Sequence, residues 1–401
     1  MSAAARHPTE SGAAGTPPPR TARVACVQYG DYLDAWERLN NGGPESYYAQ
    51  RDTITSFERF VDGREHLVVS LNAPRYRVQT AARLAVGIGS PPAWTRRPAR
   101  LAEHCRAARV IRALEAFAPT HVLNRAVDIV GCRVLAWTTR RALPTAVIIA
   151  TWFDPAQAVA RRFCRLADHP SVTCVGNHNR VATASLVACG LRPDKALAWD
   201  FPVTISPRKH ATKRLPEPAA AAVVFAGDLT VAKGVLDFVA AGTALQHAGM
   251  PLRFVVLGSG PLHAALASHP GRRAGWLELT GPVSHAEAVR RIRLSTVVVV
   301  PSHPTRHEAL PMVIYEALAT RTPLVVSDHP VFRSYFSDGD AVLFFQAGAP
   351  LSLVDTLRRL LSDRLGYARM SEQTAAVWES IQCATTFDDL LQRVARAWFS
   401  A

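Results

Sequence analysis

Two glutamates bracket the segment Glu308-Ala-Leu-Pro-Met-Val-Ile-Tyr-Glu316, which follows an apolar run from Thr296 to Pro301. The first falls in a turn and the second on a helix predicted to end near Thr320. Met312, Val313, Ile314, Ala317, Leu318 and Ala319 surround Glu316 with apolar neighbours, and a carboxylate buried among them needs a partner. Pro311 suits the first helical position, where its missing N–H costs nothing, so the backbone of Ala309, Leu310, Pro311 and Met312 is expected to present amides toward the strand end. Such a helix start is an anion site. An anion held there, with hydroxyl groups accepted by Glu308 and Glu316, describes a sugar joined to a nucleoside through a diphosphate. The spacing alone is better matched by a plainer arrangement: Glu316 bonded to a neighbouring backbone group or arginine, and Glu308 solvated in a loop.

The elements that must position these residues alternate between short β-branched runs and helical patterns, the signature of parallel α/β layers. Strands are predicted near 23–28, 66–71, 120–123, 145–150, 172–176 and 196–200, and again near 222–227, 253–258, 276–281, 296–301, 323–326 and 341–345. Two similar sheets follow. This gives a first domain over 21–205, a polar, proline-containing linker over 206–220, and a second domain over 221–385. Residues 386–401 close the chain with a helix whose Phe387, Leu390, Leu391, Val394, Trp398 and Phe399 share a stripe. Residues 1–20, rich in Ala, Pro, Gly and Thr, read as a disordered tail without the apolar core of a signal peptide.

At 401 residues and 48% hydrophobic content, the chain is long enough for two well-filled cores. Its seven cysteines are scattered with no CxxC pair, which points to reduced thiols in a cytoplasmic protein. No run reaches the ~18 apolar residues of a membrane span. The net charge is +14, and the interval 96–165 holds thirteen arginines against four acids. That excess suits an anionic membrane surface or a lipid-linked diphosphate, and equally a solvated arginine-rich face. Nucleic acid is disfavoured, because the cluster lacks aromatic interleaving and any recognisable binding motif.

The stretch EALPMVIYEALATRTPLVVSD resembles the signature of retaining glycosyltransferases of the family 4 type: a Glu, seven intervening residues and a second Glu within a segment of the form EGFPxxxxEAMAxGxPVV. Glu308, Pro311, Glu316, Ala317, Ala319, Thr322, Pro323, Val325 and Val326 match it. Val223–Gly227 with Lys233-Gly234, Phe254–Gly260, and Leu279–Val283 are similar to further family segments. Gly42-Gly43-Pro44-Glu45 is similar to the GGxE loop near the family's N-terminus. The resemblance implies the GT-B fold, two Rossmann-like domains facing each other across a cleft, and transfer of a sugar from a nucleotide-sugar donor to a hydroxyl acceptor, including a lipid-linked one, with retention of configuration. It implies that Glu308 positions the sugar, Glu316 the ribose and Lys233 the diphosphate, with Gly42 and Gly43 admitting close backbone approach and Gly258 and Gly260 flanking the nucleotide. The terminal helix is expected to cross back to the first domain.

Two departures stand out. Relatives carry an arginine where this chain has Asp228, leaving Arg306 or Arg321 to supply the charge, and a histidine where this chain runs Thr151-Trp152-Phe153-Asp154, leaving Asp154 as the polar substitute. A sugar-nucleotide epimerase or hydrolase, or a non-catalytic glycan- or partner-binding protein on the same architecture, therefore remains open. No full GxGxxG with a following acid supports a dinucleotide oxidoreductase. Asp338-Gly-Asp340 mimics a metal motif but reads as a turn, and His303 and His307 flank Pro304 without a third ligand. No cofactor beyond the nucleotide-sugar co-substrate and no essential metal is expected.

Overall fold

The computed structural model describes residues 22–45, 49–89, 99–202, 204–217, 220–305 and 308–400. The expected tail at 1–20 lies outside the described residues, as do Arg306 and His307.

The first sheet has eight strands: β1 (Arg23–Gln28), β2 (Glu65–Ser70), β3 (Tyr76–Gln79), β4 (Arg83–Gly87), β5 (His121–Asn124), β6 (Thr145–Ile149), β7 (Val172–His178) and β8 (Ala196–Trp199). Their order is β3-β4-β2-β1-β5-β6-β7-β8, parallel throughout except for the β3–β4 pair. The second sheet has six parallel strands: β9 (Ala222–Ala226), β10 (Arg253–Leu257), β11 (Leu277–Gly281), β12 (Val297–Val300), β13 (Leu324–Ser327) and β14 (Val342–Phe345), ordered β11-β10-β9-β12-β13-β14. The central strands are covered on both faces, which is why they read as unbroken Val/Ile/Leu runs; Val297 to Val300 are all buried.

Strands β3 and β4 were not expected from the sequence. Tyr76–Gln79 forms an antiparallel edge with mostly exposed side chains, so its polar content reflects solvation of a sheet margin.

In each sheet the strand order reverses beside the first strand, between β1 and β5 and between β9 and β12. Open α/β sheets place ligands in the crevice beyond the strand C-termini at such a reversal.

The chain crosses between the sheets twice. After β8 it leaves through Asp200, and near its end it returns as the helix Phe387–Phe399, whose Leu390 packs on Gly176 of β7 so closely that an added Cβ would lie 2.2 Å from Leu390 Cδ2. Trp398 Nε1 donates to Thr173 Oγ1 at 2.8 Å. The two crossings touch: Asp200 N–H donates to Thr385 O at 2.9 Å and Phe387 N–H to Asp200 O at 3.1 Å.

Candidate active site

Beyond the β9–β12 reversal two loops converge. After β9 the chain makes a short 3-10 turn, Val231–Lys233, capped by Thr230, whose hydroxyl accepts from Lys233 N–H. Gly234 follows at φ 72°, and a Cβ there would lie 2.0 Å from Pro301 O. Only glycine permits both the left-handed backbone and this approach to the end of β12. The contact is locked by His303 N–H donating to Ala232 O at 2.9 Å and by the His303 Nε2 to Asp237 Oδ2 contact at 2.7 Å.

The turn aims Lys233 at Glu308. Lys233 Nζ donates to both carboxylate oxygens, at 2.7 and 2.6 Å, and Ser302 Oγ adds a third bond at 3.2 Å. Both side chains are largely enclosed, 14% and 7% exposed. A pair withdrawn from water to this degree costs several kcal/mol per ion in desolvation, so its position at the mouth of a strand reversal has the character of a built site. Thus the lysine and the first glutamate, seventy-five residues apart in the chain, are brought into contact.

Glu316 lies on the helix Met312–Ala319, buried as its neighbours dictate. Its partner is His285, Nε2 to Oε1 3.0 Å. Burial alone would lower the His285 pKa, but the hydrogen bond and charge of Glu316, together with the charge of Glu45, raise it on balance. The next helical residue back, Tyr315, donates its hydroxyl to Asp200 Oδ2 at 3.0 Å, and Asp200 Oδ1 meets His178 Nε2 at 3.0 Å. This buried chain ties the helix carrying Glu316 to the first domain. Burial and the Asp200 charge push the Tyr315 pKa well up. His285, Asp200, Tyr315 and His178 were not anticipated; their partners lie 22 to 115 residues away, and the one local signal was the polar His178 ending an apolar strand.

Residues 220–363 match the family model described as Glycosyl transferases group 1. Alpha-D-kanosaminyltransferase from Streptomyces kanamyceticus is 31% identical over 155 residues, covering 38% of this chain and 39% of its own; the match spans about two fifths of that relative's length. HepE from Anabaena in complex with UDP superposes with a TM-score of 0.59 at 13% identity, over 95% of this chain and 100% of that one. Sucrose-phosphate synthase from Thermosynechococcus elongatus gives 0.60 at 13% identity, over 94% and 98%. The fold is GT-B.

Within the GT-B frame several expected residues also have protein partners of their own. Pro311 is the N-cap at ψ 138° rather than the first helical residue, and Ile314 N–H already donates to Pro311 O at 3.0 Å. The amides at the helix start are therefore those of Met312 and Val313, one position later than the stretch Ala309–Met312; Ala309 and Leu310 belong to the approach loop. Gly258 and Gly260 are required by protein packing, since Cβ atoms there would lie 2.0 Å from Gly227 O and 2.7 Å from Leu229 N. Gly42 (φ 77°) and Gly43 follow the end of the helix Tyr32–Asn40, their N–H groups donating to Leu39 O and Arg38 O. Glu45 accepts from Arg51 N–H at 2.6 Å, and its charge reaches His285 in the other domain. Arg321 bonds Pro207 O and Glu372 O, both at 3.1 Å, so it fastens the linker and does not serve the crevice. Asp228 is exposed. Asp338 accepts from Phe344 N–H in a turn containing Gly339 at φ 95°.

The corresponding crevice of the first sheet contains a cavity of about 1000 Å³ lined by Tyr29 after β1, Val127 and Ile129 after β5, and Thr151 to Asp154 after β6. Asp154 Oδ1 accepts from Ala156 N–H at 2.9 Å and Oδ2 from Gln157 Nε2 at 3.4 Å, so its carboxylate organises its own turn. Trp152 both lines this cavity and packs on the second-domain cluster that includes Val313 and Ile314.

Proposed function

We propose that the protein is a glycosyltransferase that moves a sugar from a nucleotide-diphosphate donor to a hydroxyl acceptor with retention of anomeric configuration. The observation that carries this reading is the enclosed Lys233–Glu308 pair beyond the β9–β12 reversal, beside the helix that bears Glu316. A lysine there offsets charge developing on a departing diphosphate, the kind of stabilisation that is often the largest catalytic contribution. Glu308 accepts sugar hydroxyls, Glu316 accepts ribose hydroxyls in exchange for His285, and the Met312 and Val313 amides face phosphate or sugar oxygens. The C1–O bond to the diphosphate breaks as the acceptor oxygen bonds C1 from the same face, and the acceptor proton passes to the leaving phosphate. Asp154 holds the loop beneath the reacting sugar.

The charge needed at the diphosphate comes from Lys233 and helix amides, so turnover is metal-independent and EDTA leaves it unchanged. The cysteines are thiols rather than disulfides, in keeping with a reducing, cytoplasmic setting. No helix among the described residues is long and apolar enough to cross a membrane; the arginine-rich first domain provides peripheral contact with anionic lipid. Arg106, Arg109, Arg125, Arg141 and Arg161 are held by protein partners, so this contact falls to other arginines of the domain. Salt-sensitive binding to anionic vesicles supports it, and indifference to lipid charge removes it.

Nucleotide release is to be measured across UDP, GDP and ADP sugars, with the product anomer read by NMR. Release with an acceptor and a retained anomer supports the reading. Inversion, or the same release with and without any acceptor, rejects it in favour of a different transferase or a hydrolase.

A further inference from the structure

The cavity beyond the first sheet's reversal has a lining that donor binding does not use, and its composition specifies what it holds; this deepens the transferase reading and rests on it. Its volume of about 1000 Å³ lies at the upper end of the roughly 300–1,000 Å³ typical of pockets for drug-sized ligands. Its walls include Val127, Ile129, Trp152, Phe153 and Val159. Phe153 stacks on Phe163 with centroids 5.3 Å apart, which fixes that wall.

The charges at the cavity divide unevenly. Asp128 Oδ1 accepts from Val130 and Gly131 N–H at 2.8 and 3.3 Å, and its carboxylate also takes the Tyr29 hydroxyl. Asp154 is occupied by its own turn. The two arginines are less committed: Arg133 meets only the His104 ring nitrogen at 3.3 Å, and Arg162 makes no hydrogen bond or ion pair among the described residues. A free sugar acceptor calls for uncommitted carboxylates and amides around its hydroxyls, and an amino sugar calls for uncommitted carboxylates above all. Of these the walls offer the two carboxylates already engaged and one amide, Gln157, which donates to Asp154 Oδ2 at 3.4 Å. They offer apolar and aromatic surface with guanidinium groups beside it, and guanidinium forks match carboxylates.

We propose that the acceptor is a compact, apolar ring compound that carries the reacting hydroxyl and an acidic substituent. Its ring lies against Ile129, Trp152 and Val159, its acidic group meets Arg133 and Arg162, and its hydroxyl points past Trp152 toward the second domain. Transfer replaces its O–H bond with an O–C1 bond to the sugar, the proton leaving on the nucleoside diphosphate.

The test is a fluorescence titration of the full chain, without nucleotide, using 7-hydroxycoumarin-3-carboxylic acid and its ethyl ester. The acid is expected to bind roughly tenfold more tightly than the ester, as one charge-assisted contact predicts. Arg133→Ala combined with Arg162→Ala should erase that difference while leaving the ester unchanged, and Val159→Asp, at an exposed position on the rim, should weaken both. Unchanged circular dichroism guards against misfolding. Equal affinity for acid and ester, displacement of the acid by glucosamine, or no binding of either probe overturns the proposal. Because donor is absent, such a failure leaves the transferase reading standing, and failure of nucleotide release leaves this titration interpretable.

Discussion

The two sheets reverse their strand order at equivalent places, yet the crevices beyond those reversals differ in kind. In the second domain a glycine-clamped turn delivers a lysine onto an enclosed glutamate, with a hydroxyl and a histidine-paired glutamate nearby. In the first domain the carboxylates are absorbed by their own turns, and the space is walled by aromatic and branched side chains. The topology supplies a crevice in both cases. What binds there is decided by whether charge has been left available, which explains why a shared architecture does not fix chemistry.

The sharpest way to break this contrast is Glu308→Ala. Turnover should fall by roughly 10²–10³, the cost of losing one preorganised polar contact at a reacting centre, while coumarin binding at the first crevice is unaffected; a variant with ordinary turnover would remove Glu308 from the mechanism. Lys233→Gln should follow, lowering kcat by about 10², with the deficit visible in single-turnover assays. A change confined to acceptor KM would place Lys233 on the wrong side of the molecule.

Asp154→Asn probes the opposite crevice. Asparagine serves such turn and cap positions about as well as aspartate, so turnover should stay within about threefold and the melting temperature should hold; a hundredfold loss would restore Asp154 to a direct role at the sugar.

The smallest expected effect concerns His285→Asn and pH. The folded-state pKa of His285 lies above its unfolded value, so its pairing with Glu316 contributes stability that is full below about 6.5 and is lost as pH rises through the raised folded value. The melting-temperature gap between wild type and variant should be roughly 1–3 °C at pH 5.5 and close at pH 8.5; a gap that widens with pH would contradict the pairing.

Much of the frame was legible because buried parallel strands leave unbroken apolar runs: all six strands of the second sheet and six of the eight in the first fall near their expected positions. The edge strand β3 was not, because an exposed edge carries no such run, and β4 was missed because it is only five residues long, with Arg83 and Gly87 at its ends. At the site, the lysine, the two glutamates and the glycine after the lysine could be named from their motif. Their partners could not: Glu316 finds His285 and Tyr315 finds Asp200 through contacts that only the completed topology creates. What could not be read locally at the glycines is the protein's own demand for them: neighbouring backbone crowds Gly258 and Gly260, and Gly42 stands in a left-handed conformation at a helix end.

The pair of adjacent chain crossings, joined where Asp200 N–H donates to Thr385 O and Phe387 N–H donates to Asp200 O, is built like a door hung on two pins. A single covalent thread would leave the halves free to twist, slide and tilt. Two threads laid side by side restrict them to rocking about one line, so each opening returns the same faces to the same alignment.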